Sequence, residues 1–153
     1  RLTEETLAAL PKIERPLVWL TLTEAWCGDA AQIIPVLDQM AANQPNIEHF
    51  LILRDEHLEI MDSLLTNGAR AIHVTIVIDK ESNEVLGHWG TRPEALQHQV
   101  MDAKVATLAA TTEEDRKAIA DQAKVDSQKW YARDKTPSTQ KEVLEMLETL
   151  VKH

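Results

Sequence analysis

The apolar and polar positions of the chain alternate between helix-like and strand-like segments. Thr3 can cap a first helix, with Leu7, Leu10 and Ile13 on one face at three-residue spacing. The continuous, partly β-branched apolar run 17–22 then predicts a central strand that is buried on both faces. The chain therefore opens with a helix followed by a buried strand.

The next two segments repeat this order. Apolar positions at helical spacing continue to Met40, and Pro35 lies inside this predicted helix, where its missing N–H favours a kink. Residues 47–53 predict a second strand. A second apolar repeat over 58–65 predicts a helix that Gly68 ends.

After residue 72 the pattern changes from alternating helices and strands to two consecutive strands. The β-branched run 73–79, a polar turn and the short partner run 84–90 predict a hairpin, and Pro93 then opens a helix. That helix carries an apolar stripe of Leu96, Val100 and Val105. Two parallel strand–helix–strand units followed by an antiparallel hairpin predict an α/β fold, a mixed sheet with helices on both faces.

The last third of the chain predicts two further helices. A capped start near Thr112 leads into a long charged helix to about Arg133, which the segment 136–140 breaks. The sparse apolar seam of this helix comprises Ile119, Ala123, Val125 and Trp130, and the last helix carries Val143, Leu144, Leu147 and Leu150. We predict a core over 1–108 and a helical extension over 109–153 that packs on it; a homodimer contact through the extension is the alternative.

Composition narrows the classes of function. The 153 residues carry 25 acidic and 16 basic side chains, for a net charge of −9, which argues against nucleic acid and against anionic membrane surfaces. No apolar run approaches the roughly 18 residues of a membrane span. A single cysteine allows no internal disulfide, which fits a reducing compartment, by default the cytoplasm.

That cysteine, Cys27, falls where a strand pattern ends and a helix pattern begins. The free N–H groups of a helix N-terminus favour an anion, so the pKa of a thiol there can fall below about 8.5. Asp29 on the first turn opposes this, because a second negative charge disfavours thiolate. The alternative interpretation of a lone cysteine is a small buried apolar residue.

The segment Trp26-Cys27-Gly28-Asp29-Ala30 resembles the Trp-Cys-Gly-x-Cys active-site segment of the thioredoxin family, in the version found in bacterial thioredoxin-like proteins with Trp-Cys-Gly-Asp. Pro35 stands where that family has its kink proline. The resemblance covers roughly residues 1–108 and implies a thioredoxin-like fold. Two positions depart from the family: Ala30 replaces the second cysteine, and His73 replaces the cis-proline.

The resemblance also implies a site. Trp26 would cover one side of the thiol, and His73 would lie beside Cys27 as a thiol–imidazole pair or, alternatively, only cap a strand with its ring in solvent. We expect a trans Ile72–His73 bond, because a cis bond at a non-proline residue costs about 3–4 kcal/mol. Arg70 could attract a carboxylate such as that of glutathione. The catalytic residues predicted are Cys27 and His73, and the predicted binding residues are Trp26, Gly28, Asp29, Arg70 and Ile72.

Without a second thiol, Cys27 cannot complete dithiol exchange, so we do not expect an efficient general disulfide reductase. A monothiol can still form mixed disulfides with protein thiols or glutathione, or become a sulfenic acid that senses oxidants. The rival hypothesis is a catalytically silent binding module that keeps the groove around Trp26 and His73 for a peptide. The scattered histidines and the lack of a glycine-rich phosphate loop indicate no metal site and no cofactor.

Overall fold

The computed structural model describes residues 1–24, 28–53, 56, 59 and 74–151. Within this part of the chain a four-stranded sheet has the order β2-β1-β3-β4. The elements, in chain order, are α1 (Glu4–Ala9), a 3₁₀ helix (Leu10–Lys12), β1 (Leu17–Thr23), α2 (Gly28–Ala42), β2 (Ile47–Leu53), β3 (Val74–Asp79), β4 (Val85–Trp89), α3 (Glu94–Ala109), α4 (Glu113–Asp134) and α5 (Pro137–Val151).

The sheet is mixed, as the order of elements predicts. β1 runs parallel to β2, with Leu17 opposite Ile47, and antiparallel to β3, with Leu17 opposite Asp79. The prediction of two parallel units is therefore right for β1–α2–β2 and wrong for the unit that ends in β3. The direction of a strand depends on which end of the neighbouring strands the chain returns to, and hydrophobic periodicity does not encode this.

The hairpin between β3 and β4 is confirmed, and Asp79 organises its turn. The Asp79 carboxylate accepts hydrogen bonds from the backbone N–H groups of Glu81 and Ser82, each at 2.8 Å, and pairs with the Arg15 guanidinium. The N–H of Ser82, the contact with Arg15 and the N–H of Glu81 together lower the pKa of Asp79 to about 2, against an opposing effect of burial.

One apolar cluster joins the sheet to the C-terminal helix. It combines buried side chains of β1, α2 and α5, among them Leu17, Trp19, Ile33, Leu37, Leu144 and Leu147. On β4, Gly87 leaves room for this packing, because a Cβ there would lie 2.9 Å from a methyl carbon of Leu150. The last helix is thus part of the main core, and the division near residue 108 stays a prediction.

A second, smaller cluster occupies the opposite face of the sheet. Leu22, Val74 and Ile76 are buried there, and Leu20, Ile52 and Ile78 pack against them. The helix predicted over 58–65 lies outside the described residues, apart from Glu59, and stays a prediction.

Two predicted apolar faces are wrong in part. In the first helix, Leu10 and Ile13 are buried, but Leu7 is 46% exposed. Leu7 lies on the six-residue helix α1, whereas Leu10 and Ile13 lie in and directly after the 3₁₀ turn that follows, so the three side chains do not belong to one continuous helix. In α3 only Leu96 is buried, and Val105 is 64% exposed, because this helix packs chiefly along α4.

Specific residues mark the start and the end of α4 and the start of α5. Thr112 caps α4 by accepting a hydrogen bond from the Asp115 N–H, as predicted. The predicted break over 136–140 is wrong in its position, since α4 stops at Lys135, whose φ is 54°, and α5 already begins at Pro137. Proline suits a first helical position because its missing N–H has no partner to lose there.

Helix α3 takes its N-terminal cap from α5 rather than from its own sequence. Pro93 makes no side-chain cap, and the Glu142 carboxylate instead accepts from the Glu94 N–H at 2.8 Å and from Trp89 Nε1 at 3.4 Å. Burial raises the pKa of Glu142, and the Glu94 N–H opposes that rise.

Among the helices of the described residues, none combines the length and the apolar character that a membrane span requires.

Candidate functional site

The structure places two of the seven predicted site residues. Gly28 and Asp29 form the first turn of α2, which follows β1 as predicted. The other five lie outside the described residues, so the Cys27–His73 pair and the trans Ile72–His73 bond stay predictions. These five are Trp26, Cys27, Arg70, Ile72 and His73.

Asp29 is held by two side chains from distant parts of the chain. Its Oδ2 accepts from Arg92 Nη2 at 2.9 Å and from Arg92 Nε at 3.3 Å. Its Oδ1 accepts from the Tyr131 hydroxyl at 2.5 Å. The Asp29 and Arg92 side chains are each only 18% exposed, so this ion pair is shielded from water far better than a surface pair.

Arg92 reaches Asp29 from the loop between β4 and α3. Its third described contact is with Gln97 of α3, where Nη1 donates to the side-chain oxygen at 2.6 Å. The guanidinium is therefore fixed from two sides, with both of its hydrogen bonds to Asp29 directed at the same oxygen, Oδ2. Its charge compensates that of Asp29, which the sequence had presented as an unopposed negative charge beside Cys27.

Tyr131 belongs to the C-terminal helices. It is the only buried residue of α4, at 7% exposure, and its ring meets that of Trp130 edge to face with centroids 5.5 Å apart. The predicted apolar seam of α4 included Trp130 and omitted its neighbour. The available signal was composition, because Tyr131 is the only tyrosine in a chain with few aromatic residues.

A second contact brings α4 against the start of α2. A Cβ added at Gly28 would lie 3.4 Å from Gln128 Nε2, so a side chain there would press on the Gln128 amide. Gln32, one turn further along α2, donates to Gln128 Oε1 at 3.0 Å. Helix α4 therefore covers the first turns of α2, next to the position of Cys27 in the sequence.

These elements enclose a groove of about 450 Å³. We call it the α2–α4 groove; its lining residues are Gly28, Asp29, Arg92, Val100, Ala123, Lys124, Ser127 and Gln128. The charged side chains among them are one aspartate, one arginine and one lysine, which sum to one positive charge. The groove therefore presents both signs of charge beside Gly28 and Asp29.

A separate cluster of polar side chains lies between three strands of the sheet and α2, and it is a poor candidate for catalysis. His49 lies between Asp38 and Thr21, with Nδ1 2.6 Å from Asp38 Oδ1 and Nε2 2.8 Å from Thr21 Oγ1. Thr21 is completely buried and Thr75, its hydroxyl neighbour at 2.8 Å, is 2% exposed. Since no substrate can reach either hydroxyl, this chain of groups resembles a catalytic triad in residue types only.

The described residues contain no group of three or more histidine, cysteine, aspartate or glutamate side chains placed to hold a metal ion.

Comparison with known proteins identifies the family. Residues 1–106 match the family described as Thioredoxin. A crystal structure of a Pseudomonas aeruginosa protein of unknown function is similar, with 25% identity and a TM-score of 0.68, over 97% of this chain and 75% of that one. An HIV epitope-scaffold matches with 23% identity and a TM-score of 0.65, over the same shares of the two chains. No curated protein matches the sequence.

The coverage of these structural matches reaches beyond the family-matched residues. A match over 97% of the chain includes most of α4 and α5, which follow residue 106. The C-terminal helices therefore recur, with the sheet, in other folded proteins.

Proposed function

This chain belongs to the thioredoxin family, and we propose that it is a monothiol member whose Cys27 forms mixed disulfides with protein thiols or glutathione. The observation that carries the proposal is the Asp29–Arg92 ion pair at the first turn of α2. It removes the electrostatic objection to a thiolate at Cys27, two residues before Asp29. The helix N-terminus that begins at Gly28 then favours the thiolate without an opposing charge from Asp29.

The proposed reaction is a single thiol–disulfide exchange. The Cys27 thiolate attacks one sulfur of a disulfide, a new S–S bond forms to Cys27, and the old S–S bond breaks. The second sulfur leaves as a thiolate and takes up a proton. Ala30 offers no internal thiol to displace the bound partner, so a second external thiol must attack the mixed disulfide and release Cys27.

The α2–α4 groove supports a partner that carries negative charge near its reactive sulfur. The groove has one excess positive charge in a chain whose net charge is −9. Lys124 supplies that excess, because Arg92 is matched by Asp29. Glutathione carries two carboxylates and one ammonium group, so it fits the sign of this site, and a reducing compartment such as the cytoplasm would supply it.

Incubation with glutathione disulfide tests the proposal. We expect the intact mass of the protein to rise by one glutathionyl group, and the pH dependence of the rate to give a thiol pKa below about 8.5. The matched control is Cys27→Ser, which should gain no mass. A wild-type protein that remains unmodified while free cysteine reacts under the same conditions would contradict the proposed function.

A second candidate function is a silent binding module, which the α2–α4 groove also favours. In that case the groove would hold a peptide with an acidic side chain, and Cys27 would play no part. This candidate predicts that the wild type and Cys27→Ser bind acidic peptides with equal affinity. That result, together with an unreactive thiol in the wild type, would favour this candidate over the first.

A further inference from the structure

Side chains of helix α4 and of the β4–α3 loop contact the start of α2. Tyr131 donates to one oxygen of Asp29, and Arg92 donates to the other. Gln128 lies against Gly28 and accepts from Gln32. Three of these four contacts, those of Tyr131, Arg92 and Gln128 with Asp29 or Gly28, converge on the two residues that follow Cys27 in the sequence.

We propose that Arg92 and Tyr131 are positioning residues that act through Asp29 to keep the Cys27 thiol acidic. The inference rests on the proposed function and names two residues that the predicted site lacked. Arg92 cancels the charge of Asp29, and Tyr131 stabilises the carboxylate that Arg92 requires. Helix α4, which lies beyond the family-matched residues 1–106, is then part of the reactive site.

Chain connectivity keeps the backbone of Asp29 close to that of Cys27. The Cα atoms of residues two positions apart lie at most about 7 Å from each other. That separation is similar to the Debye length of about 8 Å at physiological ionic strength, so salt screens an uncompensated charge on Asp29 from Cys27 only in part. A carboxylate in this position, without its cation, would disfavour thiolate.

The surroundings of Asp29 leave Arg92 as its main source of compensation. In the described part of the chain, the charged or titratable groups that contact Asp29 or share its groove are Arg92 from the β4–α3 loop, and Lys124 and Tyr131 from α4. Arg92 contacts the carboxylate through two nitrogens. Lys124 is exposed and lines the groove, where solvent weakens its effect.

The alternative explanation is that the contacts among Asp29, Arg92 and Tyr131 only hold α2, α3 and α4 together. Such a role would change the stability of the protein but not the pKa of the thiol in variants that remain folded. The two explanations therefore differ in a measurement on Cys27 itself, which NMR provides through the ¹³Cβ chemical shift of labelled cysteine during a pH titration. This readout does not require the thiol to react.

The decisive experiment is a charge cycle at positions 29 and 92. Arg92→Met leaves Asp29 uncompensated and should raise the pKa of Cys27 by about one, which means about tenfold less thiolate at neutral pH. Asp29→Asn leaves Arg92 uncompensated and should lower the pKa. The double variant Asp29→Asn/Arg92→Met removes both charges and should return the pKa close to that of the wild type.

Tyr131→Phe gives a graded version of the same test, because it removes one hydrogen bond and no charge. We expect a smaller rise in the pKa than for Arg92→Met. The matched control is Arg116→Met, which removes a cation from α4 that pairs with exposed Glu113 and does not line the groove. It should leave the pKa of Cys27 unchanged.

Two results would overturn the inference: an unchanged pKa in folded Arg92→Met, or a raised pKa that persists in the double variant. Either can occur in a protein that forms the mixed disulfide normally. Conversely, a wild-type thiol that shows the predicted charge cycle by NMR but never accepts glutathione would refute the proposed function and leave this inference standing.

Discussion

Thr21 Oγ1 lies 2.8 Å from Nε2 of His49, in the middle of a buried polar chain that links three strands and one helix. The chain continues from His49 to Asp38 of α2 and from Thr21 to Thr75 of β3. The Asp38 side chain at one end is 57% exposed, but Thr21, Thr75 and the His49 side chain are buried, so water cannot replace a missing partner among these three. The parallel pair β1–β2 and the antiparallel pair β1–β3 are thus joined by side chains as well as by backbone.

Removal of the Thr21 hydroxyl should destabilise the fold. Thr21→Val keeps the shape but deprives His49 Nε2 and the Thr75 hydroxyl of a partner, at a cost of about 1–3 kcal/mol. Urea unfolding measures this loss. The control is Thr149→Val on exposed helix surface, where the hydroxyl bonds only to the Glu145 carbonyl and its loss should matter little. Equal effects of the two variants would contradict the role of the buried chain.

Asp79 should make the fold sensitive to acid. Its pKa in the folded protein is about 2, below the ordinary 3.8, so its contribution to stability is complete above pH 3.8 and is lost as the pH falls through about 2. Asp79→Asn should therefore be less stable than the wild type at about pH 5, and the difference should shrink toward about pH 2. Urea midpoints across this range measure it.

The control for Asp79 is Asp102→Asn, at an exposed position of α3. This variant should lack the loss of stability at about pH 5 that we expect of Asp79→Asn. An Asp79→Asn curve that runs parallel to the wild-type curve would show that the turn contacts do not hold the carboxylate in its charged form.

Glu142 should have the opposite dependence on pH. Burial raises its pKa above the ordinary 4.5, so the folded protein binds this proton more tightly than the unfolded chain does. Its effect on stability therefore becomes more favourable as the pH falls from neutral through the raised pKa. Glu142→Gln, which keeps an oxygen for the Glu94 N–H, should lose this dependence. Unfolding midpoints between neutral pH and about pH 4 measure the contrast.

Glu142→Ala separates the cap from the charge. It removes the acceptor for the Glu94 N–H and should cost about 1 kcal/mol at neutral pH, as the loss of a helix cap does. If Glu142→Ala and Glu142→Gln are equally stable, the α5 carboxylate does not cap α3.

A second cysteine at position 30 should create dithiol activity. Ala30 stands where the thioredoxin family has its second cysteine, so Ala30→Cys restores the family's spacing of two cysteines. We expect insulin reduction by Ala30→Cys and none above background by the wild type. The control is Ala42→Cys at the other end of α2, which adds a thiol that cannot reach Cys27. Wild-type activity like that of a dithiol thioredoxin would refute the monothiol proposal.

The sequence predicted the elements well because their signals are local. The cap at Thr3, the run that forms β1, the hairpin of β3 and β4, and the capped start of α4 all depend on neighbours within a few residues. The Trp-Cys-Gly segment with its downstream proline led to the family that the comparison then identified.

Exposure of helix faces was less predictable. Leu7 and Val105 each belong to an apolar pattern with a helical period. Both side chains are nevertheless exposed. A period says that one face is apolar, but contacts with other elements decide how far along the helix that face is covered.

The candidate site depended on tertiary structure most of all. The sequence alone determined that Asp29 follows Cys27 at the start of a helix, and it predicted that this carboxylate opposes the thiolate. The structure pairs this carboxylate with Arg92 and Tyr131, which are 63 and 102 residues away along the chain, and its effect on the thiol stays a prediction. Hydrophobic spacing and capping rules describe only what lies within a few turns, so compensation of a charge by a side chain from another element emerges only when the chain has folded.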